Sequence, residues 1–281
     1  MRQATGRPVT VNGHQLYVEE SGTGPGHVLF EAGQGLGRTS WDPVLPLLPD
    51  RARLIGYDRD GFGRSPRSTA PLSLDQLADD LVALAEAVVP GRFVLVAHSM
   101  GGLVARRAAE RLAPRLRGLL LIDPTPETAP AYDAIDAIAR RVDRTLAVAQ
   151  PLTRFRAFAR LASGNVRRVF PADTYAAMLA EDFVPAGLAQ TRREFRAVAG
   201  AIPGFRADPP APPTCRTVLL SADRPRRGGE RGHPALQAHQ RRWADTLPDG
   251  RYETVDSGHF IQAEQPALVA DRIRELLDGP A

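Results

Sequence analysis

Residues 92–102, Arg-Phe-Val-Leu-Val-Ala-His-Ser-Met-Gly-Gly, decide the fold of this chain. Phe93 to Ala97 is an uninterrupted apolar run, then come a serine, a glycine pair and a helix-forming stretch ending near Leu112. So short an apolar run against small residues reads as a strand buried on both faces. Ser99 then lies on the tight turn from strand to helix. Ala97 and Gly101 flank it and are small enough to let the backbone fold sharply, which lifts the hydroxyl above the sheet edge. The helix opening at Met100 aims free N–H groups and its positive dipole end at the same point.

The same alternation extends in both directions. Upstream, Val9–Val11, Asn12-Gly13 and Leu16–Glu19 predict a hairpin, and HVLFEAG predicts an apolar strand ending at glycine. TSWDPVLPLL predicts a helix, ARLIGYD a strand, and the run from Leu74 to Val88 a helix with Ser73 and Gln76 at capping-box spacing. Downstream, GLLLI predicts another buried strand. From Pro124 to about Pro213 no strand signal appears and helical stretches are broken by proline and glycine. Alternation resumes with TVLLSA, a helix around Ala235–Leu247, the strand RYETVD and a helix around Pro266–Leu277. The fold class expected is α/β, a mostly parallel eight-stranded sheet with helices on both faces. Residues 1–123 and 214–281 form its core, and residues 124–213 are an inserted helical block joined through the Pro-rich segments DPTPETAP and ADPPAPPT.

Composition narrows the function. At 281 residues the chain is long enough for one large core. All 36 of its basic residues are arginine, set against 32 acids for a net charge of +4, and the arginines are interleaved with acids along the sequence. A nucleic-acid partner is not expected. The longest uncharged run, Phe93 to Ala105, is too short to span a bilayer, no apolar leader opens the sequence, and a cytoplasmic location without a membrane partner is expected. The lone cysteine, Cys215, excludes a disulfide framework and any multi-cysteine metal site. Neither metal nor organic cofactor is expected.

A serine hydroxyl needs a base to become a nucleophile. Of six histidines, His259 in Asp256-Ser257-Gly258-His259-Phe260 is the candidate, because it follows a late strand at the sheet edge that also carries Ser99. His98 is read as packing or support beside the nucleophile.

With these residues in place the chain resembles the α/β-hydrolase fold superfamily along nearly its whole length. AHSMGG resembles the nucleophile elbow, with Ala97 for the commoner first glycine, and SGHF resembles the catalytic histidine loop. EAGQG at Glu31–Gly35 is similar to the oxyanion loop, with Glu31-Ala32 ahead of Gly33, and the resemblance implies an oxyanion hole formed by the Gln34 and Met100 amides. DRDGFGRS, Asp58 to Ser65, is similar to a turn that in the family carries structure. The triad acid has two candidates. Family members that carry it after the seventh strand would place it at Pro225, leaving Asp223 two residues early; others carry it after the sixth strand, where Asp123 stands. The triad expected is Ser99, Asp123 and His259.

The helical block resembles the family's cap domain. It holds eight of the seventeen aromatics, among them Tyr132, Phe155, Phe158, Phe170 and Tyr175, which suggests an apolar or aromatic acyl pocket. Leu152, Phe155, Phe158 and Leu161 recur at helical spacing and are expected to pack that block onto the body. Arg192, Arg193 and Arg196 are open to either an acidic substrate or solvent. The activity implied is a serine hydrolase acting on a small acyl substrate: an ester, thioester or lactone. The alternatives are a cofactor-free lyase, cyclase or perhydrolase on the same serine and histidine, and a ligand-binding protein on a hydrolase scaffold.

Overall fold

The computed structural model describes residues 5–225 and 228–279. The start of the chain, read above as lacking a leader, and Arg226-Arg227, in the loop after Asp223, lie outside the described residues. Eight strands form one sheet in the order β1-β2-β4-β3-β5-β6-β7-β8. They are β1 Thr5–Val11, β2 His14–Ser21, β3 Gly26–Glu31, β4 Ala52–Asp58, β5 Phe93–His98, β6 Leu116–Ile122, β7 Arg216–Ala222 and β8 Gly250–Val255. The hairpin β1–β2 and the pair β2–β4 are antiparallel, and all other pairs are parallel.

Side-chain alternation along the central strands splits the core into two layers. Leu29, Ile55, Leu95, Ala97, Leu119 and Leu121 pack against helices α1 (Leu74–Val88) and α2 (Gly101–Leu112). Val28, Phe30, Val94, Val96, Leu120 and Ile122 face the opposite way, onto Trp41, Val44 and, from the later helix Pro266–Asp278, Val269 and Ile273. Every residue of β5 is buried, which is why its sequence shows a continuous apolar run and no alternation. Helix α1 opens as its sequence predicts: the Ser73 hydroxyl accepts the Gln76 N–H at 3.0 Å.

Between β6 and β7 the chain is helical. The block comprises α3 Ile135–Leu152, α4 Arg156–Ala162, α5 Gly164–Arg167, α6 Ala172–Glu181 and α7 Pro185–Ala207. Helices α8 (His233–Asp245), α9 (Ile261–Glu264) and α10 (Pro266–Asp278) complete the fold.

Two expectations need correction. TSWDPVLPLL does not form a helix but two 3-10 turns, Arg38–Trp41 and Leu45–Leu47, because Pro43 and Pro46 each remove an N–H that a helix would need. Leu152, Phe155 and Leu161 do not pack the helical block onto the body; they are 36%, 54% and 77% exposed. Helical spacing defines a face without saying what covers it.

Candidate active site

The site forms where β5, β6 and β8 end. Ser99 has φ +55° and Asp123 has φ +39°, both in the left-handed region that a side chain makes costly. The neighbouring strands hold both in place. Ser99 N donates to the Ile122 carbonyl at 2.9 Å, Thr125 N returns to the Ser99 carbonyl at 3.1 Å, and Asp123 N donates to Leu220 at 2.7 Å. Glycine is required behind the serine: a Cβ on Gly101 would stand 2.5 Å from the Ala32 carbonyl oxygen, and one on Gly102 2.8 Å from Pro124.

His259 Nδ1 lies 2.5 Å from Asp123 Oδ2. The other carboxylate oxygen, Oδ1, accepts the side-chain N–H of Gln240 at 3.1 Å and the Ala222 N–H at 3.4 Å. Gln240 is fixed in turn, since its Oε1 accepts from the Ser221 hydroxyl at 2.6 Å and its Nε2 also donates to the Pro124 carbonyl at 2.8 Å. Asp223, the other candidate acid, accepts the Ser257 N–H at 3.2 Å and so braces the loop that carries His259. Ser99, Asp123 and His259 line one cleft of about 130 Å³ with Tyr132, His233 and Gln237. His98 is buried beneath it. Its Nε2 donates to the His259 carbonyl at 3.0 Å and its ring lies 4.6 Å from the His259 ring.

The Glu31–Gly35 loop passes beside the serine: a Cβ on Gly33 would come within 2.5 Å of His98 Nδ1 and 3.4 Å of Ser99 Cβ. A buried arginine orients this loop. Arg59 donates to the Ala32 carbonyl at 2.7 Å and to the Gly33 carbonyl at 2.8 Å. In a trans peptide the C=O of one residue and the N–H of the next point in opposite directions, and the described residues contain no cis bond. Holding the Gly33 carbonyl on Arg59 therefore turns the Gln34 N–H the other way. Met100, whose amide was expected beside it, directly precedes α2.

Arg59 is balanced by two buried carboxylates, Glu31 at 2.7 Å and, from α7, Glu194 at 2.7 Å. Glu194 also accepts the Gly35 N–H at 3.2 Å, so the helical block and the loop share one ion cluster. Burial pushes the Glu31 carboxyl up to about 6, against the pull of Arg59 and of the Tyr57 hydroxyl that donates to it. Sequence reasoning did not single out this cluster or Gln240. Opposite charges at Glu31 and Arg59, at the ends of the adjacent strands β3 and β4, were the available signal for the first. Gln240 gives none.

The other sequence candidates separate. Arg192 and Arg196 pair with Asp143 at 3.0 and 3.5 Å, and Arg193 pairs with Asp60 at 3.3 Å, so all three serve internal contacts. Phe170 and Tyr175 pack with Ala32 and Leu36 above the loop, whereas Phe155 faces solvent. Among the described residues no cluster of histidine, cysteine and acid has the makings of a metal site.

Residues 28–272 match the model of the Alpha/beta hydrolase family. The chain is 32% identical over 139 residues to the 2-(acetamidomethylene)succinate hydrolase of Mesorhizobium japonicum, a match covering 49% of this chain and 48% of that protein. The chain thus spans about half the length of this curated relative. An alpha/beta hydrolase from Nostoc sp PCC 7120 superposes with a TM-score of 0.78 at 20% identity, over 99% of both chains. An esterase from Thermogutta terrifontis superposes with a TM-score of 0.68 at 25% identity, over 98% of both.

Proposed function

The chain belongs to the alpha/beta hydrolase family, and we propose that it is a serine hydrolase that cleaves a carboxylic ester, thioester or lactone through an acyl-enzyme on Ser99. The observation that carries this reading is the 2.5 Å contact of His259 Nδ1 with Asp123, in the cleft that Ser99 also lines. In that arrangement Asp123 accepts a hydrogen bond from Nδ1–H, so the proton stays on Nδ1 and the unprotonated Nε2 takes the proton of the Ser99 hydroxyl. Ser99 Oγ attacks the carbonyl carbon. The resulting oxyanion rests on the Gln34 and Met100 amides, reinforced by the positive end of α2. His259 then returns its proton to the leaving group, and a water activated by the same nitrogen releases the acid.

The names of the relatives support hydrolysis, and the left-handed backbone of Ser99 supports a nucleophile elbow. The helical block acts as a cap over the cleft and admits a small, apolar or aromatic acyl group. Purified enzyme should turn over a panel of soluble aryl esters, thioesters and lactones many times per active site, with all activity lost in Ser99→Ala. A single acylation without further turnover would replace this reading with that of a binding protein on a hydrolase scaffold.

A further inference from the structure

The segment from Pro151 to Ala172, PLTRFRAFARLASGNVRRVFPA, contains five arginines and no acid. Arginines are interleaved with acids over most of the sequence, and this stretch departs from that pattern. Arg154, Arg156, Arg160, Arg167 and Arg168 are all exposed, and so are Arg140, Arg141 and Arg144 on α3. Among the described residues none of these eight forms an ion pair, whereas Arg192, Arg196 and Arg206 on α7 each meet an aspartate.

Large apolar side chains stand among them. Ile138 is 40% exposed, Val148 70%, Leu152 36%, Phe155 54% and Leu161 77%; among the described residues only one other large apolar residue, Leu47, is comparably exposed. The Arg154 guanidinium lies 4.7 Å from the centroid of the Phe155 ring, so cation and aromatic share a surface. A charge-rich helix face normally keeps such residues out of water. Here they protrude, and the cleft described above is lined by none of them.

We propose that the face of α3, α4 and α5 docks on the anionic surface of a lipid bilayer, with its arginines at the headgroup phosphates and Val148, Phe155 and Leu161 in the acyl boundary. Three features favour that occupant. Eight uncompensated cations need a dense anionic partner, which a second copy of the same face would not supply. Nucleic-acid phosphates would satisfy the arginines but leave the leucines and the phenylalanine in water. An anionic bilayer meets both halves of the surface, and protruding side chains suit a deformable phase. No helix among the described residues is long and apolar enough to cross a membrane, and a peripheral contact needs none. Docking is independent of the hydrolytic reading, since the face is separate from the cleft of Ser99.

Co-sedimentation with vesicles of phosphatidylcholine alone, and of phosphatidylcholine mixed with phosphatidylglycerol, tests this. The full chain should pellet with the mixed vesicles only, and less so as salt is raised. Arg154→Glu/Arg156→Glu/Arg160→Glu should weaken binding by about a hundredfold or more, at about fivefold for each arginine lost. Phe155→Ser/Leu161→Ser should weaken it by about tenfold or more. Both variants alter only exposed positions, so an unchanged circular dichroism spectrum and melting temperature show that each is folded. The proposal is overturned if the wild type fails to pellet with mixed vesicles, or if pelleting is insensitive to both variants. It is equally overturned if duplex DNA or polyglutamate binds more tightly than vesicles without loss in Phe155→Ser/Leu161→Ser, or if that variant abolishes a wild-type dimer.

Discussion

Asp123→Asn is the substitution whose consequence the structure specifies most closely. Asparagine is isosteric, and the two donors already aimed at Asp123 Oδ1, the Gln240 side-chain N–H at 3.1 Å and the Ala222 N–H at 3.4 Å, would hold its carbonyl oxygen on their side. The amide NH2 must then face His259 Nδ1, now 2.5 Å from a carboxylate oxygen. Two donors cannot share that contact, so His259 would give up its Nδ1 proton and carry it on Nε2. In that tautomer Nε2 cannot take the serine proton. The expected fall in kcat is roughly 10⁴-fold, equivalent to about 5 kcal/mol of transition-state stabilisation, with KM little changed. Asp223→Asn keeps an acceptor for the Ser257 N–H and should cost less than about tenfold. Initial-rate kinetics on a soluble aryl ester, with circular dichroism to confirm folding, compares the two. An Asp123→Asn enzyme within tenfold of wild type, or the larger loss in Asp223→Asn, would refute the assignment.

Other substitutions probe the surroundings of the site. Glu194→Gln removes one of the two carboxylates balancing buried Arg59 and should lower unfolding free energy by about 3 kcal/mol in a denaturant titration. Its kcat should also fall by about tenfold or more at constant KM, because the Gly33 carbonyl is no longer held as firmly; lost stability with unchanged kcat would limit the cluster to a structural role. Gly33→Ala places a Cβ 2.5 Å from His98 Nδ1 and should reduce kcat by about a hundredfold as the loop is pushed off the serine, whereas near wild-type kinetics would mean the loop does not contribute. Burial, with Glu19, Asp173 and Glu181 against the opposing pull of Arg38, raises Asp42 from 3.8 to about 7. The folded state therefore holds that proton more tightly than the unfolded state, and the stability it contributes is complete below about pH 4 and lost as pH rises to about 7. Asp42→Asn, which cannot ionise, should raise Tm at pH 8 by about 3 °C or more relative to its effect at pH 4; equal shifts at both pH values would contradict the linkage.

Local signals in the sequence were sufficient wherever a single element determined the outcome. The unbroken apolar run of β5, the Ser73 cap of α1 and the Asn12-Gly13 turn each act within a few residues, and the structure has all three. The acid was not legible in the same way. Asp123 and Asp223 both follow strands at the same sheet edge, and which one reaches His259 depends on where two loops end in space. The helical block shows the same limit: the spacing of Leu152, Phe155 and Leu161 marks a face, but only packing decides whether it is covered. Five of the eight exposed arginines were legible as an acid-free stretch, Pro151 to Ala172. That Arg140, Arg141 and Arg144 form no ion pair among the described residues is decided by packing, which turns Asp143 of the same helix toward Arg192 and Arg196. Arg59 illustrates a third case, a residue in a turn read as structural that reaches across to the loop beside Ser99.

The most direct test of the central claim, that Ser99 is a nucleophile activated by His259, is the intact mass of the protein after reaction with a fluorophosphonate, which needs no knowledge of the substrate. A single adduct is expected on the wild type, absent in Ser99→Ala and strongly slowed in His259→Ala. An adduct that persists in Ser99→Ala, or labelling that is indifferent to the loss of His259, would contradict it.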